Sequence, residues 1–492
     1  MNKTGIKVNI IGAGIGGLAT AIRLAVAGFE VTIFEKNNYP GGKLSELKLD
    51  GFRFDKGPSL LTLPHLIDEL TDLTGYPILF EYNKLEIITH YFYEDGTQFN
   101  ATSDINSFAE QLEKSLGESP IAVKNYLKKS KFYYDTTADL FLTQSLSQLR
   151  NFINLKTVRG ILNAPKLNLF SSMNRKNELS FTNEKTVQLF NRYATYNGSN
   201  PYKAPALMNI ISHLEFGLGA FVPKNGMHQI TEHLVKLATS VGVKIKLNQN
   251  VEEICITNNS VIGLKSNGEF YPSEIVTSDI DIHVVYSKLL PSKFTPKKLL
   301  QQEKSSSAYV FYWGINKEFA SLGLHNILFS DDYKKEFECI FTGNEPSIDP
   351  TIYINISSKN CKTDAPLNAE NWFVMINVPH NTRNEIQYGM QLKKNVISKI
   401  NRMLNTDIEQ HIVAEQVLDP IGIEQQTSSF GGSLYGNASN NRFSAFLRHS
   451  NFSSTIKNLY FVGGSVHPGG GIPLCLLSAK IASEIIQSKK RT

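Results

Sequence analysis

Apolar positions along the chain follow two rhythms. Lys7-Val-Asn-Ile-Ile11 and Glu30-Val-Thr-Ile-Phe34 are short apolar runs of strand length. Between them Leu18, Ile22 and Ala25, with Leu24 beside them, recur at helical spacing, and Gly28 supplies a helix stop. The alternation returns late in the chain: Asn458-Leu-Tyr-Phe-Val462 reads as strand. Leu474, Leu477, Ile481 and Ile485 then mark an amphipathic helix with Pro473 in its first turn. Residues 111–219 lack strand alternation, and helices are predicted over 107–116, 121–131, 137–151 and 206–214. Strand-like runs at 85–92, 308–314, 352–356 and 372–378 predict a mixed sheet flooring a cavity, with a helix over 384–403.

Glycines stand where these rhythms change. Gly12-Ala13-Gly14-Ile15-Gly16-Gly17 joins the first strand to the first helix, and Glu35 closes the second strand, 23 residues after Gly12 (35 − 12). Gly12 permits a tight turn, Gly14 a close approach of pyrophosphate to backbone, and Gly17 close helix–strand packing. The helix N-terminus offers free amides to phosphate, and Glu35 suits a ribose 2′-hydroxyl rather than a 2′-phosphate. Strand, glycine turn, helix, strand and acid together form a dinucleotide fingerprint; the alternative is a tight turn with no ligand. Asn37-Asn-Tyr-Pro-Gly41-Gly42-Lys43 adds a second glycine-rich approach, which suits a long, extended dinucleotide. Lys43 reads either as a cofactor contact or as a solvated loop charge. Five glycines lie between Gly463 and Gly471, after a strand and before a helix, where something flat or phosphorylated touches backbone. A helix N-terminus there stabilises negative charge.

Composition narrows the class. A chain of 492 residues, 41% hydrophobic and 19% charged, is globular with two to four units, not disordered, collagen-like or coiled-coil. Its four cysteines have no CxxC spacing, so neither a metal nor a disulfide is expected. The uncharged run Val8 to Ile22 mimics a leader, down to Ala19-Thr20-Ala21, but its four glycines fit strand–turn–helix better, and no cleaved leader is expected. No run reaches the ~20 apolar residues of a membrane-crossing helix, so the expectation is a soluble or surface-bound protein. The net charge of +5 is mild, yet six cations and no acids fall between Arg150 and Asn177, interleaved with residues such as Phe152, Ile161, Leu167 and Phe170. Such a segment suits the headgroup boundary of an anionic bilayer; the plain alternative is a helical cap with a solvated basic face. Nucleic acid is not expected, for want of aromatic platforms and a wider positive field.

Lys43 is followed by Phe52-Arg-Phe-Asp55-Lys56-Gly57-Pro58-Ser59, and the arrangement resembles the flavin-containing amine oxidase and carotenoid desaturase superfamily. Asn458-x-Tyr-Phe-x-Gly-Gly-Ser-x-His467-Pro-Gly469-x-Gly471-Ile472, with Ser478 beyond, is similar to the C-terminal signature of bacterial-type carotenoid (phytoene) desaturases. It departs at Val466 and Gly470, where small hydroxyl or alanine-like residues are usual. Residues 217–227, 242–254, 276–279, 192–201, 325–330, 349–353 and 432–436 also look familial, which spreads the match over nearly the whole chain. Residues 447–451 and the run Gly471 to Cys475 look closest to 1-hydroxycarotenoid 3,4-desaturases.

The resemblance implies an α/β protein. A Rossmann-like FAD-binding domain of glutathione-reductase/amine-oxidase type is expected from 1–80, 220–290 and 430–492, since the cofactor motifs fall at both ends and near 250. A substrate domain with a mixed sheet takes 81–110 and 291–429, and a helical, membrane-associating subdomain takes 111–219. FAD is expected to meet Gly12, Ala13, Gly14, Gly16, Gly17, Glu35, Lys36, Gly41, Gly42, Lys43, Gly57, Pro58, Ser59, Leu60, Val251, Asp279, Gly463, Gly464, Gly471 and Ile472. Residues 242–247 with 251–254 are expected to form a strand pair beside adenine.

The implied reaction moves a hydride from a saturated carbon beside a polyene to the flavin, with loss of a neighbouring proton. The proton acceptor is open among His467, Asp55, His213 and His228; Asp55 could instead cap a turn, and the histidines could be ordinary interior or loop residues. Tyr193, Tyr196 and Asn197 either hydrogen-bond a substrate hydroxyl or simply pack. No second GxGxxG supports a nicotinamide site, so oxygen or a quinone is the expected electron acceptor. A hydrophobic carotenoid favours contact with a membrane through about 150–177, on the cytoplasmic side of the cell membrane. The rival readings are a phytoene/lycopene-type desaturase of the same family, an FAD-dependent carotenoid isomerase, an isoprenoid-binding carrier without redox chemistry, and an amine oxidase, the last without an aromatic cage to support it.

Overall fold

A computed structural model describes residues 5–142, 167–168, 171–380, 386–441 and 448–490. Its first sheet is parallel, in the order Leu459–Phe461, Ile275–Ser278, Lys7–Ile11, Glu30–Phe34, Lys244–Lys246. Lys7–Ile11 is central because its apolar residues are buried on both faces. Val8 lies opposite Val31 on one side and Ile275 on the other, and Ser278 lies opposite Phe461. The first and last strands of the chain thus share one sheet.

Helix Ile15–Val26 packs beneath it, wedged between Gln229–Ser240 and Ile472–Lys490, so almost its whole surface is apolar and buried. Over the other face lies a three-stranded antiparallel sheet, Val251–Thr257, Ser260–Ser266 and Glu269–Pro272. Here the expectation of a strand pair from 242–247 and 251–254 is corrected. Lys244–Lys246 pairs with Glu30–Phe34, whereas Val251–Thr257 pairs with Ser260–Ser266 in the other sheet. Asn248, in the left-handed region at φ 54°, turns the chain out between them.

The second large sheet is mixed, in the order Ile412–Leu418, Ser307–Ile315, Glu370–Val378, Ile352–Asn355, His325–Leu328, Ile87–Phe92, Gln98–Thr102. His325–Leu328 and Ile87–Phe92 run parallel, the other neighbours antiparallel. Side chains alternate between its faces. Trp313, Trp372, Val374, Ile376 and Ile354 meet Leu392, Val396 and Ile400 of helix Ile386–Leu404. Val310, Tyr312, Phe373, Met375, Tyr353 and Ile327 turn the other way, into a cavity.

Between these sheets in sequence, the described residues are mainly helical. The helix predicted over 121–131 and the start of the one predicted over 137–151 form one helix, Pro120–Phe141, because no glycine or proline interrupts 121–141; residues 143–151 lie outside the described residues. The stretch 206–214 is a 3₁₀ turn, Ala206–Asn209, leading into helix Ile210–Phe216. Residues 150–166, 169 and 170, most of the basic run, lie outside the described residues. Among the described residues no helix is long and apolar enough to cross a membrane.

Candidate functional site

Two glycine turns and a sheet face enclose a cavity of about 550 Å³. At one end, the turn after Lys7–Ile11 hands its glycines to helix Ile15–Val26. A Cβ on Gly17 would lie 2.2 Å from the Gly12 carbonyl oxygen, so helix and strand touch there as backbone. Cβ atoms on Gly14, Gly16 and Gly463 would lie 2.3–2.5 Å from the Asp279 carboxylate oxygens. Gly12 is left-handed at φ 95° and donates its N–H to Phe34 O at 2.8 Å. Glu35, buried at the end of its strand, accepts the Ala13 and Asn37 N–H groups at 2.8 and 2.9 Å. Asp279 sits in this cradle. Burial and the neighbouring Glu35 push its carboxyl up to about 7, against a Gly17 backbone hydrogen bond and Lys43, which pull it down.

The second glycine approach packs on the first. Gly41 N–H donates to Ala13 O at 2.8 Å, and a Cβ on Gly57 would meet Lys43 O at 2.2 Å. Lys43 Nζ donates to the carbonyls of Leu434 and Ser433 at 2.5 and 3.3 Å, and burial lowers its pKa. Lys36 Nζ reaches Gln425 O and Ser428 Oγ. From the far end of the chain Gly464, Gly471 and Ile472 line the cavity at the N-terminus of helix Ile472–Lys490. Of the expected cofactor residues, Gly12, Gly14, Gly16, Glu35, Lys36, Gly41, Gly42, Lys43, Gly57, Pro58, Ser59, Leu60, Val251, Asp279, Gly464, Gly471 and Ile472 line the cavity, while Ala13, Gly17 and Gly463 sit behind it in the backbone contacts just described.

The expected acid–base residues scatter. His467 lines the cavity. Asp55 does not: its carboxylate takes Arg53 Nη2 at 2.7 Å and the Met227 and His228 N–H groups at 2.8 Å each, which caps the turn into helix Gln229–Ser240. His228 stands at that helix start with Glu46 and Glu232 each 3.9 Å away. His213 lies on helix Ile210–Phe216 against the Tyr134 ring, while Ile210, Ile211 and Leu214 of the same helix line the cavity. The expected hydroxyl-binding trio also divides. Tyr196 and Asn197 reach the cavity; Tyr193 is turned away and donates to Glu215 Oε1 at 2.7 Å, with Tyr196 donating to the other oxygen of the same carboxylate.

Sequence reasoning missed the polar members of the sheet floor. His325, Tyr353 and Thr89 lie on three neighbouring strands among apolar cavity residues, and Arg192 joins them. A polar residue at an inward position of an alternating strand was the available signal. Gly470, a departure from the desaturase signature, also finds its reason: a Cβ there would lie 2.5 Å from Tyr435 Cδ1.

This geometry can be set beside known proteins. A family described as flavin containing amine oxidoreductase matches residues 15–317. A 1-hydroxycarotenoid 3,4-desaturase of Flavobacterium sp. (strain P99-3) is 50% identical over 98% of this chain and 99% of its own. The chain belongs to the flavin-containing amine oxidoreductases, among their carotenoid desaturases. A 4,4'-diapolycopene oxygenase of Methylomonas sp is 33% identical over 98% of each chain. The fold of this desaturase is shared with a solved oxidoreductase from Methanosarcina mazei, TM-score 0.63 at 14% identity over 98% and 100% of the two chains. The cofactor is FAD, and the residues present fit it: the turn is bare backbone with no room for a Cβ at Gly14, Gly16 or Gly17, as a pyrophosphate-binding turn requires, beside a buried acid at ribose distance along the motif.

Proposed function

We propose that this FAD-dependent desaturase removes two hydrogens per step from an acyclic C40 carotenoid bearing a 1-hydroxyl, at the 3,4-position. The observation that carries the reading is one continuous cavity, about 550 Å³, running from the glycine cradle to an apolar and aromatic sheet floor. The 50% identity to a 1-hydroxycarotenoid 3,4-desaturase supports the hydroxyl and the bond. Bound FAD supplies the acceptor for a hydride.

The chain does the rest by position. Val310, Phe373, Met375 and Ile327 hold a polyene by van der Waals contact and keep water from it. The N-terminus of helix Ile472–Lys490 meets the cavity and favours negative charge there. His467, the cavity-lining member of the four expected acid–base residues, accepts the proton. Electrons leave to oxygen or a quinone. The protein works on the cytoplasmic face of the cell membrane, held there by the basic and apolar run at about 150–177; Thr137 and Leu142, just before it, line the cavity. Expression in carotenoid-producing cells tests the reading. A hydroxylated pigment that loses two mass units per step and absorbs at longer wavelength supports it, and an unchanged pigment mass rejects it.

A further inference from the structure

The cavity floor is not uniformly suited to a hydrocarbon. Across the mixed sheet its inward residues run from Val310, Phe373 and Met375 to Tyr353, His325 and Thr89. A bare polyene gains nothing from that polar end, and buried polar groups without partners are destabilising.

The hydrogen-bond network there fixes one tautomer. Asn355 Nδ2 donates to Leu324 O at 3.0 Å, which sets the amide's orientation, and to His325 Nδ1 at 3.2 Å. Nδ1 therefore carries a lone pair, and Tyr353 Oη, 2.7 Å away, donates to it as well. Ser59 Oγ in turn donates to Tyr353 Oη. The neutral imidazole then bears its hydrogen on Nε2. His325 is 3% exposed, and Nε2 is buried with no hydrogen-bond partner among the described residues. Burial, with the charge of Arg192 nearby, pushes this histidine down to about 3, so it stays neutral and serves as a donor rather than a base. Arg192 lines the same stretch, and its Nε is likewise buried and unpartnered while Nη2 donates to Tyr91 Oη at 2.8 Å.

A hydroxyl oxygen completes such a site. On a 1-hydroxylated carotenoid, C1 is two bonds from C3, so the group that reads the hydroxyl must stand beside the reacting bond. Ser59 meets that condition: it belongs to the 57–60 turn that lines the cavity with the glycine cradle, and it is tied to Tyr353. We propose that His325, oriented by Tyr353, Ser59 and Asn355, donates Nε2–H to the substrate's hydroxyl oxygen and selects the hydroxylated end group over the bare one. This assignment rests on the desaturase reading above and names the residue that gives it specificity.

The test is the ratio of kcat/KM for a 1-hydroxylated acyclic C40 carotenoid to that for the same carbon chain without the hydroxyl. Both are presented in vesicles to the purified flavin-loaded protein. Wild type is expected to favour the hydroxylated chain by at least about 30-fold, since a site built to bond a hydroxyl rejects the analogue lacking it. His325→Leu is expected to lower that ratio at least about tenfold, and His325→Gln, which restores an N–H, to recover part of it. Flavin content and thermal midpoint are read for each variant. If His325→Leu loses flavin, Tyr353→Phe decides, because it removes the bond that holds the imidazole in place. A ratio within twofold of wild type in flavin-loaded variants overturns the proposal. Wild type that desaturates both substrates equally overturns it while leaving the desaturase reading intact; wild type that carries flavin yet desaturates neither overturns both.

Discussion

Asp279 is the acid held farthest from its ordinary behaviour among the cavity residues that meet the glycine cradle. Its carboxyl sits over Gly14, Gly16 and Gly463; burial first and then Glu35 raise its pKa, against the Gly17 backbone hydrogen bond and Lys43. The folded value of about 7 stands above the roughly 3.9 of an unfolded aspartate. An acid whose folded pKa is raised costs stability as pH climbs from the unfolded to the folded value, here from about 4 to about 7. Asp279→Asn removes that penalty. Its thermal midpoint without cofactor should exceed wild type's at pH 8 and match it at pH 4; equal midpoints at both would refute the assignment. His467 is testable by rate. His467→Gln should retain flavin and lower kcat by about 10²–10⁴-fold, the usual contribution of a positioned base; an unchanged single-turnover rate would show that the proton goes elsewhere. In the sequence His467 was visible through its flanking glycines, and Asp279 only through the resemblance of residues 276–279 to the family's return strand. The sequence did not separate Asp55 from them, because an acid that caps a turn and an acid that takes a proton look alike until Met227 and His228 are seen on its oxygens.

At the scale of elements, four strands of the parallel sheet were legible because each lies beside a glycine turn, at Gly12, Gly28, Gly242 and Gly463; Ile275–Ser278 has no such glycine. Partnership was not. Periodicity at 242–254 marks two strands but carries no information about which sheet each joins, and the turn at Asn248 separates them. Four strands of the mixed sheet followed the alternation, since Trp313 and Trp372 on one face and Val310 and Phe373 on the other leave a clean period of two, whereas Gln98–Thr102, His325–Leu328 and Ile412–Leu418 were not expected. The contact between helix Ile15–Val26 and its strand depends most on Gly17, where a Cβ has no room beside the Gly12 carbonyl. Gly17→Val should force the turn open and yield protein with less than about a tenth of wild-type flavin absorbance, while far-ultraviolet circular dichroism stays near wild type because the sheet's apolar core remains. Full flavin loading in that variant would mean that the turn does not hold the cofactor as described.

The whole molecule joins two sheets through one cavity, and that union explains why the cofactor motifs are split along the chain. Leu459–Phe461 lies beside Ile275–Ser278, which lies beside Lys7–Ile11, so three distant segments bring Gly463, Asp279 and Gly12 together. Away from the cradle the cavity is walled by Leu142, Leu207, Met208, Ile211 and Leu214, an apolar lining suited to a hydrophobic substrate. Leu142 ends the helix that leads toward the basic run, where Arg150, Lys156, Arg159, Lys166, Arg175 and Lys176 carry no acidic neighbour between 150 and 177. Each cation at an anionic surface contributes about 1 kcal/mol, and salt screens it. The full chain should therefore sediment with phosphatidylglycerol vesicles at low salt and dissociate as salt rises. Phosphatidylcholine vesicles should hold much less of it. Replacing Lys156, Arg159 and Lys166 together by Glu should weaken the anionic binding at least about 30-fold, because three attractions become repulsions. Cavity-borne activity on a detergent-solubilised carotenoid should survive that change, which separates docking from catalysis. Equal binding to both vesicle types, or binding untouched by salt and by the triple substitution, would refute docking through this basic run.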